Sequence, residues 1–284
     1  MTENVSTNIA SACVKAAVAE GYRKVAPGWH KWRQEFKAAG AVVTEAILSA
    51  SHVKPGMRVL DVGCGPGELA LRVLPLVGDN GCVAAIDLVP EMLPRATAAE
   101  SLIVFGVADA ESLPFRDATF DLVMCRGAVM HFPDATQALC EAYRVLRPGG
   151  RAVFSALGPA EETTAIMATI AVVLRHATSP PPLAPGPDIY RFGLPGSLSA
   201  LFCLANFQEV SERMFTAPCV WPGKAQHFWQ ALPDHAWRFA ELIECLPTES
   251  RERVKMEVVA ALRPYERDGL LHLSAPTVIV SGKR

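Results

Sequence analysis

Short, almost wholly apolar runs alternate along the first half of the chain with longer stretches whose apolar residues recur every three or four positions. Val59-Leu60-Asp61-Val62, Cys82-Val83-Ala84-Ala85-Ile86 and Leu122-Val123-Met124-Cys125 have the composition of strands buried on both faces. Helical patterns lie between and after them. The clearest is 134–146, where Ala138, Leu139, Ala142 and Leu146 share a face before Arg147-Pro148-Gly149-Gly150 stops it. Extended along the chain, the pattern predicts strands at 59–62, 82–87, 102–107, 120–126, 151–155, 209–215 and 275–280. Helices are expected up to about 50, from 68 to 77, over 160–177 and within 223–267. Such alternation winds into an α/β sheet covered on both faces. The proline-rich stretch from Ser179 to Pro187 can neither continue a helix nor pair centrally, and is read as a loop or hinge.

The first strand breaks into Gly63-Cys64-Gly65-Pro66-Gly67 and a helix opens at Glu68. Gly63 and Gly65 let a ligand approach the backbone closely, and the amides entering the helix carry partial positive charge. This is the composition of a cofactor-binding loop. Its spacing is G-x-G-x-G, with Glu68 where the dinucleotide fingerprint requires Gly or Ala, which argues against a nicotinamide pyrophosphate. The second strand ends on Asp87, whose carboxylate can accept from both hydroxyls of a ribose, with Leu88 and Met92 as an apolar wall for adenine. After the third strand, Asp109 can accept from an adenine amino group while the Ala110 amide faces a ring nitrogen. The fourth strand ends at Arg126.

On these residues, together with Pro90-Glu91-Met92-Leu93, Leu113-Pro114-Phe115 and Met130-His131-Phe132-Pro133-Asp134, the chain from about 55 to 157 resembles the ubiquinone/menaquinone methyltransferase type of class I S-adenosylmethionine-dependent methyltransferases. The resemblance implies a Rossmann-like, doubly wound seven-stranded sheet, mostly parallel with one antiparallel strand near the C-terminus. It also implies S-adenosylmethionine as cofactor, methyl transfer as reaction, and a cofactor site of Asp61, Gly63, Cys64, Gly65, Asp87, Leu88, Met92, Asp109, Ala110 and Arg126. Many relatives carry a smaller or aromatic residue where Arg126 stands, so its role, toward the cofactor or a substrate anion, is open. The acceptor is not supplied by the resemblance.

Four regions are expected: an N-terminal helical cap (1–50), the cofactor-binding core (51–159), a helical and proline-loop insertion (160–206), and the last strands (207–284) with a helical lid at 223–267. In the cap, Tyr22, Trp29 and Trp32 are candidates to close the cofactor pocket, where an aromatic face meets a sulfonium with ~0.5–2 kcal/mol of cation–π attraction; the alternative for each is plain amphipathic packing of a Trp-rich helix. In the lid, Phe228, Trp229, Trp237 and Phe239 form an apolar face that is either core or the wall of an acceptor pocket. Trp229, Trp237 and His227 are its substrate-binding candidates. His131 is the candidate general base, with packing against the cofactor or capping of the helix at Asp134 as the plainer readings, and His227 and His235 as alternatives.

The 284 residues, half of them apolar, can bury a full core. A net charge of −2 without basic runs excludes a general nucleic-acid binder. Eight cysteines are scattered with no C-x-x-C pair, which reads as reduced thiols rather than a disulfide or zinc framework. Neither a signal-peptide pattern nor a long apolar span occurs, so a cytoplasmic protein with a small-molecule partner and no metal is expected. The resulting expectation is methyl transfer to oxygen or carbon of a small, largely apolar acceptor, quinone-like or a secondary metabolite. The alternatives are a non-methylating enzyme using the same cofactor, such as a cyclase, or a non-enzymatic binding protein.

Overall fold

A computed structural model describes residues 2–94, 102–177 and 185–284. Positions 179–184 of the expected proline loop lie outside the described residues. Three helices, α1 (Thr2–Lys31), α2 (Arg33–Ala39) and α3 (Ala41–Ser51), precede the alternating units β1 (Arg58–Val62), α4 (Glu68–Val77), β2 (Cys82–Asp87), β3 (Val104–Val107), β4 (Phe120–Arg126), α5 (Ala135–Val145) and β5 (Leu146–Leu157). Then follow α6 (Thr164–His176), α7 (Ser197–Leu204), β6 (Gln208–Trp221), α8 (Ala225–His235), α9 (Trp237–Glu244), α10 (Thr248–Leu262), β7 (Glu266–Arg267) and β8 (Leu270–Lys283). The strand order is β3-β2-β1-β4-β5-β8-β6, with the two-residue β7 added beside β8. Strands β1 to β5 are parallel and β8 runs against both its neighbours. The expected seven strands with one reversed near the C-terminus are therefore present.

The unbroken apolar runs follow from burial on both sides of the sheet. In β4, Leu122 and Met124 join Val59, Val153 and the α4 residues Leu69 and Val73 on one face. Val123 and Cys125 join Leu60, Phe154 and the α5 residue Leu139 on the other. One boundary differs locally: β5 begins at Leu146, so Arg147-Pro148-Gly149-Gly150 lies inside the strand, where pairing with β4 shifts register between Phe120 and Leu122.

The larger difference is in β6 and β8, which are 14 residues each and far longer than expected. Strand β5 stops at the pair Leu157–Thr277, and beyond it β6 and β8 pair with each other as far as Trp221–Leu271. This ribbon projects past the carboxyl edge of the sheet. An isolated two-stranded ribbon is marginal in water. Here Trp221, Leu271 and Leu273 bury themselves against Phe228, Leu232, Phe239 and Val254 of α8 to α10, which makes a second core.

Helix α1 crosses the same edge, packed on α8, α9 and the turn Pro90–Met92. Two glycines allow the close approach: a Cβ on Gly28 would lie 1.8 Å from the Asp234 carbonyl oxygen, and one on Gly21 2.5 Å from the Trp237 ring. Among the described residues no helix is long and apolar enough to cross a membrane.

Candidate functional site

A cavity of about 420 Å³ lies at the carboxyl ends of β1, β2 and β4 beneath α1, within the size range of small-molecule sites. Its floor is the β1–α4 loop. Gly63 sits at φ 68°, and a Cβ there would come within 2.4 Å of the Ala128 Cβ, so a side chain would be both strained and blocked. The Gly65 amide donates to Asp87 Oδ2 at 2.9 Å and the Val89 amide to Oδ1 at 3.0 Å. Asp87 thus ties the loop to the end of β2, and a carboxylate has lone pairs left for further donors. Desolvation raises its pKa above the ordinary carboxylate range. Asp61, buried under the loop, accepts from the Ala70 amide at 3.1 Å, and burial pushes its pKa to about 7 against the opposing charge of Arg126.

Leu88, Met92, Asp109 and Ala110 line the cavity together with these groups. Over them lies Lys15 of α1, whose ammonium pairs with Asp109 and Glu111 at 2.6 Å each. Tyr22, seven residues on, reaches His131: its hydroxyl is hydrogen-bonded to Nε2 at 2.8 Å. Desolvation, reinforced by the guanidiniums of Arg238 and Arg191, lowers the His131 pKa to about 4. Asp134 caps α5 with its own side chain, accepting from the Gln137 amide at 2.9 Å, so the capping reading of His131 is not needed. The remaining wall is apolar, formed by Trp29, Phe36 and Leu157 with Ala217 and Cys219 of the projecting ribbon.

All of the expected cofactor residues except Trp32 line this cavity. Trp32 turns away; its Nε1 donates to Asp234 Oδ2 at 2.7 Å and its ring packs on Trp221 and His227. The three expected substrate residues are also elsewhere. His227 Nδ1 accepts from Trp221 Nε1 at 3.1 Å, Trp229 packs on Phe239, and Trp237 lies against Gly21. The apolar face of the lid is thus core, because it closes over the ribbon and α1 rather than over the cavity. His235 packs against Trp29 and Phe36, behind the wall they make.

Residues that sequence reasoning passed over also line the site: Lys15, Phe36 and Cys219. Lys15, Tyr22, Trp29 and Phe36 recur every seven residues, a helical stripe that could have been read. Cys219 carried no such signal, since it depends on how far β6 extends.

Residues 60–154 match the methyltransferase domain family. This stretch is a methyltransferase domain. Over 143 residues the chain is 36% identical to malonyl-[acyl-carrier protein] O-methyltransferase of Erwinia billingiae, covering 50% of this chain and 54% of that protein. Over 129 residues it is 36% identical to demethylmenaquinone methyltransferase of Symbiobacterium thermophilum, covering 43% and 47%. The chain spans about half the length of these curated relatives. The crystal structure of the YcgJ protein from Bacillus subtilis shares the fold, with a TM-score of 0.53 at 20% identity over 85% of this chain and 97% of that one. The methyltransferase domain holds the glycine loop, Asp87, Asp109 and His131, whereas Tyr22, Phe36 and Cys219 reach the cavity from outside it. The residues present fit S-adenosylmethionine: a cradle that a Cβ would fill, a carboxylate with spare acceptors for a diol, and the apolar pair Leu88 and Met92 for a purine.

Proposed function

We propose that the protein transfers a methyl group from S-adenosylmethionine to an oxygen or carbon of a small, largely apolar acceptor. The observation that carries this reading is one continuous cavity, with the glycine loop and Asp87 along one part and Trp29, Phe36, Leu157 and Cys219 along another. Relatives named as an O-methyltransferase and as a C-methyltransferase of ubiquinone/menaquinone biosynthesis support a choice of oxygen or carbon. When bound, the cofactor supplies an electrophilic methyl and a neutral thioether leaving group, so the chain's task is placement. In-line positioning in a site closed to water contributes up to ~7–11 kcal/mol.

His131 is the candidate base, at ~10²- to 10⁴-fold. Held neutral down to about pH 4, its imidazole is free to accept a proton at pH 7. It is a weak base there, and suits an acceptor whose proton becomes acidic only as the new bond forms. Tyr22 orients the ring. We place the enzyme in the cytoplasm, where its eight free cysteines stay reduced.

The test is label transfer from methyl-labelled S-adenosylmethionine to phenols and reduced naphthoquinones of increasing apolar size. Turnover should rise with apolar size. Tight S-adenosylhomocysteine binding with no transfer to any acceptor would favour the non-methylating alternatives, and no binding at all would overturn the reading.

A further inference from the structure

Arg126 ends β4 and faces the cavity, and it has no acid of its own. Among the described residues no carboxylate lies within ion-pair distance of its guanidinium. Glu68 pairs with Arg33 and Glu45 with Arg72, while Asp61 is turned to the Ala70 amide. Desolvation lowers the Arg126 pKa, yet a guanidinium keeps its proton under any ordinary condition. Asp61 and Glu68 favour its charge without pairing with it, and a desolvated charge compensated only from a distance is stabilised further when an anion binds.

The neighbours of Arg126 hold it in one place. Its Nη1 donates to Thr44 Oγ1 at 2.7 Å, and the Thr44 hydroxyl in turn donates to the Gly40 carbonyl at 3.1 Å. Gly40 joins α2 to α3, and a Cβ there would lie 3.1 Å from the same Nη1. The missing side chain makes room for the guanidinium beside the cavity. Asp61 lines the same cavity. One cation and one acid set together match the ends of an α-amino acid zwitterion.

We propose that Arg126 binds the carboxylate of the amino-acid end of the ligand in this cavity, with Thr44 and Gly40 as its positioning residues. The assignment rests on the cofactor reading above and adds to it a residue that the resemblance left open. The competing role is structural. Arg126 also borders a polar groove on the outer side of α2 and α3, lined by Lys37, Glu45, Glu68 and Arg72, and could serve only to close it.

Calorimetry with two ligands separates these roles: S-adenosylhomocysteine, and 5′-methylthioadenosine, which lacks the amino-acid end. Arg126→Met should weaken S-adenosylhomocysteine by about tenfold to a hundredfold and leave 5′-methylthioadenosine within about twofold, as expected for loss of one charged hydrogen-bonding group. Arg126→Lys should recover part of the difference. Thr44→Val should reduce the preference for S-adenosylhomocysteine in the native background and add nothing in the Arg126→Met background, which a merely structural threonine would not do. Equal loss of both ligands in folded Arg126→Met, or no loss of either, overturns the assignment. Wild-type protein that binds neither ligand overturns the cofactor reading and this assignment with it. Wild-type protein that binds both, with their ratio unmoved in Arg126→Met and Thr44→Val, overturns this assignment alone.

Discussion

The Tyr22 hydroxyl and His131 Nε2 are hydrogen-bonded at 2.8 Å, with the two rings edge to face, 5.1 Å apart. This contact joins the helix over the cavity to the turn after β4. Desolvation drives the two pKa values apart, raising that of Tyr22 and lowering that of His131 to about 4, so both are neutral at pH 7. The groups facing His131 are Tyr22, Arg191 and Arg238, and both guanidiniums disfavour the imidazolium.

The two buried histidines should each cost stability as pH drops from about 6.5 to 4. His131 and His235 titrate at about 4 in the fold and near 6.5 when unfolded, so the unfolded chain takes up protons in this window that the native state refuses. Asp61, raised to about 7, works the other way, because the native state keeps a proton there that the unfolded chain has lost. Asp87, raised by desolvation, works in the same direction as Asp61, so the histidine contribution is isolated by removing one imidazole. Between pH 4 and 7 the midpoint of His131→Gln, set against that of wild type, should gain steadily toward acid, because the variant lacks the loss that His131 contributes. An unchanged slope would show that His131 titrates normally. If His131 is the base, its limb in the pH–rate profile lies near pH 4, not near neutrality.

Asp87→Asn should weaken S-adenosylhomocysteine by ~1.5–3 kcal/mol, the range for hydrogen bonds to a charged group. Asp87 also receives the Gly65 and Val89 amides, so a modest drop in thermal midpoint should accompany the lost affinity. Calorimetry on folded variant reads the first effect and thermal unfolding the second. Full affinity in Asp87→Asn would remove the carboxylate from the site.

Trp237→Ala should cost stability, not ligand affinity. The ring fills the space left by Gly21 between α1 and α9, and truncation of a buried aromatic residue costs ~3–5 kcal/mol. Urea unfolding should show that loss, while the folded fraction binds S-adenosylhomocysteine as wild type does. Weakened binding without loss of stability would return Trp237 to the cavity wall.

Cys219→Phe should narrow the apolar end of the cavity from the ribbon side. Turnover of the bulkiest acceptor should drop by about tenfold or more, since a hydrophobic pocket discriminates steeply by size, while S-adenosylhomocysteine affinity holds. An equal loss for small and large acceptors would count against this wall as the acceptor site.

The cofactor half of the site was readable because each of its groups lies near the end of one β-α unit. Gly65 and Asp87 are 22 residues apart, but β1 and β2 are adjacent parallel strands, so the loop and the acid meet wherever that unit forms. The acceptor half had no such local rule. Trp229, Trp237 and His227 sit on an apolar helical face, and periodicity says that a face is covered without saying by what. Their cover is the ribbon and α1.

By itself, then, the sequence determined the strands of the methyltransferase domain, the glycine loop after β1, and the acids at the ends of β2 and β3. These follow from backbone conformation and from pairing between near neighbours in the chain. Tertiary structure alone decided that β6 and β8 extend together past the sheet, which brings Cys219 to the cavity that Phe36 also lines, and that Arg126 rests on Gly40 and Thr44 with no carboxylate paired to it. Those placements depend on contacts between residues many tens of positions apart, where each side chain's environment is set by which surfaces close over one another.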